Sequence, residues 1–103
     1  MRISKGEMVD RFYKENKEHF SNRDKAQAAF DSVWEIARDI LTSGDEFNVR
    51  QFGTFKSVYR GSYIGHDIHF NEPIEIPARM VPVFRPSSQL RADIREQVEL
   101  AEE

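Results

Sequence analysis

Cysteine is absent from the chain, so no disulfide can staple it, and zinc sites built on thiolates are excluded. Its three histidines, His19, His66 and His69, are too few and too scattered to suggest a metal site. Long apolar runs are missing too. None approaches the roughly 18–20 residues of a membrane span, and Met1-Arg2-Ile3-Ser4-Lys5 leads into no secretory apolar core, so a soluble, cytoplasmic domain with no membrane partner is expected. Positive charge is in deficit: 15 Lys and Arg stand against 18 Asp and Glu, a net charge of −3 that weighs against a general polyanion binder. No nucleophile elbow, phosphate-cradling glycine loop or close acid–base pair occurs, so neither an enzyme nor a cofactor is expected. At 103 residues the chain has the length of one small domain, residues 1–103, and alone it buries only about 60–70% of its unfolded surface.

The segments that are present have clear periods. Ser4-Lys5-Gly6-Glu7 is a capping box, and Met8, Val9, Phe12 and Tyr13 then gather on one face, which predicts a helix over residues 4–20. Ser21-Asn22-Arg23-Asp24 offers a second cap, with an acidic residue three positions after Ser21. Ala26, Ala29, Phe30, Val33, Trp34, Ala37, Ile40 and Leu41 hold a helical period for about five turns, and Gly44 stands where a left-handed terminator belongs. Ile36 lies off that stripe, which predicts a second apolar contact with a partner chain.

From Phe47 the period becomes that of a strand, Phe47 and Val49 alternating with Asn48 and Arg50. Gly53 interrupts the run within Gln51-Phe52-Gly53-Thr54-Phe55, which predicts a turn between two strands there. Lys56, Val58 and Arg60 then share one strand face, opposite Phe55, Ser57 and Tyr59. Residues 61–72 show no one-sided alternation and read as an extended excursion. Strand character returns at Ile74-Glu75-Ile76 and at Val81, Val83 and Phe84. Pro73, Pro77, Pro82 and Pro86 each remove a ladder donor, so the strand they punctuate should lie at an edge or carry bulges. A last helix begins near Ser87-Ser88, with Leu90, Ile94, Val98 and Ala101 on one face. The fold class is α+β, in the order helix, helix, strand, strand, excursion, strand, helix. Its apolar faces exceed what so short a chain can enclose, and a dimer is the expected remedy.

Two motifs at fixed separation carry a resemblance. Gln51-Phe52-Gly53-Thr54-Phe55, then Ile74-Glu75-Ile76-Pro77-Ala78 with Val81-Pro82-Val83-Phe84-Arg85-Pro86 and Leu90, resemble the HU/IHF family of bacterial DNA-bending proteins over roughly residues 4–95. The family forms are Gly-Phe-Gly-Thr-Phe and Ile-Pro-Ala-x-x-Val-Pro-x-Phe-x-Pro. The resemblance implies two intertwined chains, each with two N-terminal helices, a three-stranded antiparallel sheet, a β-ribbon arm at about residues 60–76, and a C-terminal helix. It implies that the arms embrace double-stranded DNA through the minor groove, and that Phe52, Phe55 and Phe84 belong to the dimer core. The partner would be a second copy or a paralogous chain, and the place the nucleoid of a bacterial or phage-infected cell.

The arm tip departs from the family pattern Arg-x-Gly-Arg-Asn-Pro. Tyr63 and His66 replace its arginines, Gly65 is kept, Asp67 replaces asparagine, and Ile68 stands at the wedge proline. Val58 occupies a usually basic position and Ser88 replaces a lysine, whereas Arg60, Arg85 and Arg91 keep basic ones. Residues 56–85 sum to +1 and residues 86–103 to −3, the acidic tail (about 96–103) containing Glu96, Glu99, Glu102 and Glu103. Lys5, Lys56, Arg60, Arg85 and Arg91 still give ten cations per dimer, within reach of the roughly 6–10 phosphate contacts that support strong electrostatic association. The residues expected to meet DNA are those five with Tyr63, Gly65, His66, Ile68 and Arg79. His66 and His69 are read as arm residues without a metal. Two functions are expected: an architectural protein that binds and bends or compacts DNA as a dimer, or alternatively an HU-like domain turned to protein–protein contacts, as partner or regulator of another HU-like chain or as a structural component of an assembly, with weak or no DNA binding. For Ile68, either insertion between base steps or packing on its own ribbon against Ile64 or Phe70 is expected.

Overall fold

The computed structural model describes residues 1–102; Glu103, the end of the acidic tail, lies outside them. The elements in chain order are α1 (Lys5–Glu15), α2 (Arg23–Thr42), β1 (Phe47–Val49), β2 (Gly53–Arg60), β3 (Tyr63–Asp67), β4 (Glu72–Ile76), β5 (Arg79–Pro86) and α3 (Ser88–Glu102). They fall into two compact units, Met1–Asp39 and Ile40–Glu103.

In the first unit, Ser4 caps α1, its Oγ accepting the Glu7 N–H at 3.2 Å. The helix ends at Glu15, five residues short of the predicted limit. Asn16 stops it: its amide donates to the Phe12 carbonyl at 2.9 Å and its backbone N–H to the Tyr13 carbonyl, so side chain and main chain both replace the helical ladder. The polar run after it offers no apolar face to continue on. Phe20 folds back on Phe12 (centroids 5.5 Å), Phe12 meets Phe30 at 5.8 Å, and Phe30 meets Trp34 at 6.0 Å. Val9 and Ala26 are the buried side chains of this unit among the described residues. The cap of α2 is Asn22 and not Ser21, its Oδ1 accepting the Lys25 N–H at 3.0 Å, which leaves Asp24 in the first turn. Arg23 ties the two helices, donating to Asp10, to Gln27 and to the Gly6 carbonyl.

The second unit opens where α2 closes. Gly44 adopts φ +84°, with its N–H on the Leu41 carbonyl and the Asp45 N–H on the Ile40 carbonyl, the double bond of a Schellman stop. Strands β1, β2 and β5 form an antiparallel sheet in the order β1-β2-β5. The β1–β2 turn falls at the start of the predicted segment, at residues 50–52, just before Gly53. Gln51 takes the left-handed conformation (φ +63°), and the Phe52 N–H closes on the Val49 carbonyl at 2.9 Å. Gly53 is instead the first residue of β2, paired with Val49 and Pro86. Its hydrogen answers to crowding: a Cβ there would stand 2.6 Å from Phe84 Cε1 and closer still to the Arg85 carbonyl oxygen.

Strand β5 lies at the sheet edge and pairs with β2 without a bulge from Arg60↔Arg79 to Gly53↔Pro86. Phe55 and Phe84 are directly opposite, rings 4.6 Å apart, and are flanked by Phe47 (5.0 Å from Phe55) and Phe52 (5.4 Å from Phe84). The predicted excursion is a separate two-stranded ribbon, β3 with β4, from Tyr63↔Ile76 to Asp67↔Glu72. Helix α3 is capped by Ser87, whose Oγ accepts the Leu90 N–H at 3.1 Å and whose N–H donates to the Phe52 carbonyl. No helix among the described residues is long and apolar enough to cross a membrane.

Candidate nucleic-acid interface

Side chains alternate along a strand and paired residues share a face, so the β2–β5 register sorts the sheet into two chemistries. Phe55, Phe84, Tyr59 and Met80 lie on one face. Lys56, Val58, Arg60, Arg79, Val81, Val83 and Arg85 lie on the other, with Thr54. Four of the expected DNA contacts, Lys56, Arg60, Arg79 and Arg85, are thereby brought to one surface, and strands β1, β2 and β5 contain no carboxylate. Arg60 and Arg79 stand directly opposite each other, both exposed. Like charges in that relation cost stability unless an anion spans them. A phosphodiester backbone supplies anions in rows, and guanidinium groups bind them through paired donors.

The remaining expected residues are placed elsewhere. Arg91 is exposed in the first turns of α3, next to its Ser87 cap. Lys5, in the first unit, is ion-paired, Nζ 2.7 Å from Asp31 Oδ1. Tyr63 begins the ribbon, its half-exposed ring under the Arg79 guanidinium at 5.7 Å. Gly65 lies under Ile76; a Cβ there would come 3.2 Å from Ile76 Cγ1. His66 Nε2 is 3.0 Å from Asn71 Oδ1 across the ribbon end.

The tip itself is built by Asp67, whose Oδ1 accepts the N–H groups of His69 and Phe70 at 2.9 and 3.3 Å, and by Asn71 at φ +51°. This turn holds Ile68 at 87% exposure and Phe70 at 75%, so Ile68 does not pack on its own ribbon as the alternative expectation had it. Phe70 was not among the expected site residues. The signal that could have found it is an aspartate followed two and three positions on by the residues whose amides it caps.

Comparison with known proteins agrees with this geometry. The family model described as bacterial DNA-binding protein matches residues 3–95. The integration host factor subunit beta of Tolumonas auensis is 29% identical over 89 residues, covering 86% of this chain and 94% of that one. The same subunit of Xylella fastidiosa is 33% identical over 79 residues, 77% of this chain and 76% of that one. Among solved structures, an Anabaena HU–DNA cocrystal is similar with a TM-score of 0.78 and 30% identity, covering 89% of this chain and 97% of that one. An HU variant from Thermotoga maritima shares the fold at a TM-score of 0.63 and 21% identity. With its three helices, its sheet of one cationic and one aromatic face and its β-ribbon, this chain belongs to the bacterial DNA-binding protein family of HU and integration host factor.

Proposed function

We propose that two copies of this chain form one intertwined domain that binds double-stranded DNA on the cationic faces of their sheets and bends it, as an architectural protein of the nucleoid with no catalytic role. The observation that carries this reading is the β2–β5 face, where four cations per chain stand together with no carboxylate on the three strands. Such a face binds phosphates without reading bases, which suits packaging more than selection of a site. Dimerisation is supported by apolar surface in both units: Val33, Trp34 and Ile36 on α2 are 62%, 48% and 58% exposed, and Phe52 and Phe84 remain partly open. Covering side chains of this size is worth about 1.5–3 kcal/mol each, a large part of a small domain's stability. Phe52, Phe55 and Phe84 are the aromatic residues of that shared core.

A mobility-shift titration on duplex DNA at increasing salt tests the reading. Binding should weaken steeply, with log K falling by about 0.9 per neutralised phosphate for each decade of salt. Replacing Arg85 and Arg91 with alanine should flatten that slope on all sequences alike. Salt-independent binding, or none at low salt, would overturn the proposal.

A further inference from the structure

The ribbon differs in charge from the sheet it extends. Residues 61–78 contain no lysine or arginine and three carboxylates, Asp67, Glu72 and Glu75. They also hold large apolar side chains open to solvent: Tyr63 at 50%, Ile64 at 69%, Ile68 at 87%, Phe70 at 75% and Ile74 at 44% exposure. An anionic arm gains no electrostatic attraction from phosphates, and a set of exposed apolar side chains this dense marks a contact surface. The chain itself offers a complementary surface. On the β2–β5 face, Lys56, Arg60, Arg79 and Arg85 frame a half-buried apolar strip of Val58, Val81 and Val83. Three negative charges with apolar side chains match four positive charges around a valine strip.

We propose that the arm of one dimer docks on the cationic sheet face of another, so that the protein assembles with itself through the same face that binds DNA. The occupant is a second copy, because arm-to-arm pairing would set carboxylate against carboxylate: Asp67 and Glu72 are already opposite within one ribbon. Arm and face lie on different surfaces, so the contact is heterologous and propagates instead of closing on itself. DNA and arms then compete for one surface, and free protein forms a reserve that DNA dissolves.

Sedimentation velocity of the full chain without DNA tests this independently of the DNA-binding reading. At neutral pH and about 0.01 M salt, where charges act over about 30 Å, species of at least twice the dimer mass should appear and grow with concentration. At about 1 M salt, where the range is about 3 Å, they should revert to the dimer. Glu72→Gln with Glu75→Gln cuts the arm's charge from −3 to −1 and leaves Asp67 in place to cap the tip. Lys56→Gln with Arg79→Gln weakens the face. Each double variant alone should remain dimeric at low salt, and mixing the two should restore assembly, since each supplies what the other lacks. The proposal is overturned by a parent protein that stays dimeric at low salt, by an arm variant that assembles like the parent, or by a mixture that does not reassemble.

Discussion

The Arg60–Arg79 pair gives a test in which stability and binding move in opposite directions. The two guanidinium side chains start from directly opposed positions on β2 and β5, on a face without a carboxylate. Cross-strand pairs contribute about 0.2–1 kcal/mol, favourable for opposite charges and unfavourable for like ones. Arg60→Glu removes a repulsion and adds an attraction, so it should stabilise each sheet by about 0.4–2 kcal/mol. In a cooperative dimer of about 200 residues the two sheets together gain about 0.8–4 kcal/mol, and where 1 kcal/mol moves the midpoint by about 2–4 °C, the thermal midpoint should rise by about 2–16 °C. Protein concentration must be held constant, because the midpoint of a dimer depends on it. On DNA the same change deletes two cations per dimer and introduces two anions. The salt slope should fall by about 2, and near 0.1 M salt the affinity should drop by about two orders of magnitude or more. Differential scanning calorimetry and a salt-titrated fluorescence anisotropy assay read the two quantities on one preparation. A variant that loses stability while keeping its salt slope would refute both the register of the cationic face and its role.

Three further outcomes follow from the geometry. Gly53→Ala sets a methyl group into Phe84 and the Arg85 carbonyl, so it should destabilise by several kcal/mol in chemical denaturation, at the upper end for overpacking or beyond it. Trp34→Ala should cost about 3–5 kcal/mol, seen as dissociation at concentrations where the parent remains dimeric by light scattering, at about twice 12.1 kDa. Ile68→Ala should reduce DNA bending measured by energy transfer between end labels while leaving the thermal midpoint in place, because the side chain is 87% exposed; an unchanged bend excludes it as a wedge between base steps.

Much of this architecture is legible in the sequence because the local signals agree with the tertiary ones. The Ser4 and Ser87 caps, the Gly44 stop and the edge position of the proline-bearing strand each have a cause within a few residues. The misplaced features have causes that a sequence pattern does not display. Gly53 marks the β1–β2 turn by breaking the strand pattern, yet Gln51 takes the left-handed conformation and Gly53 answers to a ring of β5, three strands on in sequence. Helix α1 ends early because the Asn16 amide reaches the Phe12 carbonyl, a choice between two satisfied states that periodicity cannot rank. Of the candidate site, the cations could be named singly from the sequence, but their union on one face required the β2–β5 register. The opened tip with Phe70 required the turn.

The two prolines in β5 have a bearing on how densely such a protein can be stored. Strand amides in an antiparallel ladder point alternately toward and away from the partner. Pro82 and Pro86 occur at the same parity in an unbroken pairing with β2, so their missing donors belong to the outward row, which they share with Met80 and Phe84. Half of the hydrogens that an incoming strand would need to seize are gone from that edge. Sheet rich in phenylalanine and valine is the composition from which fibrils nucleate, and an interrupted outer edge denies them a template. A DNA-binding protein crowded along a polymer at high local concentration can thereby keep its sheets side by side without fusing them.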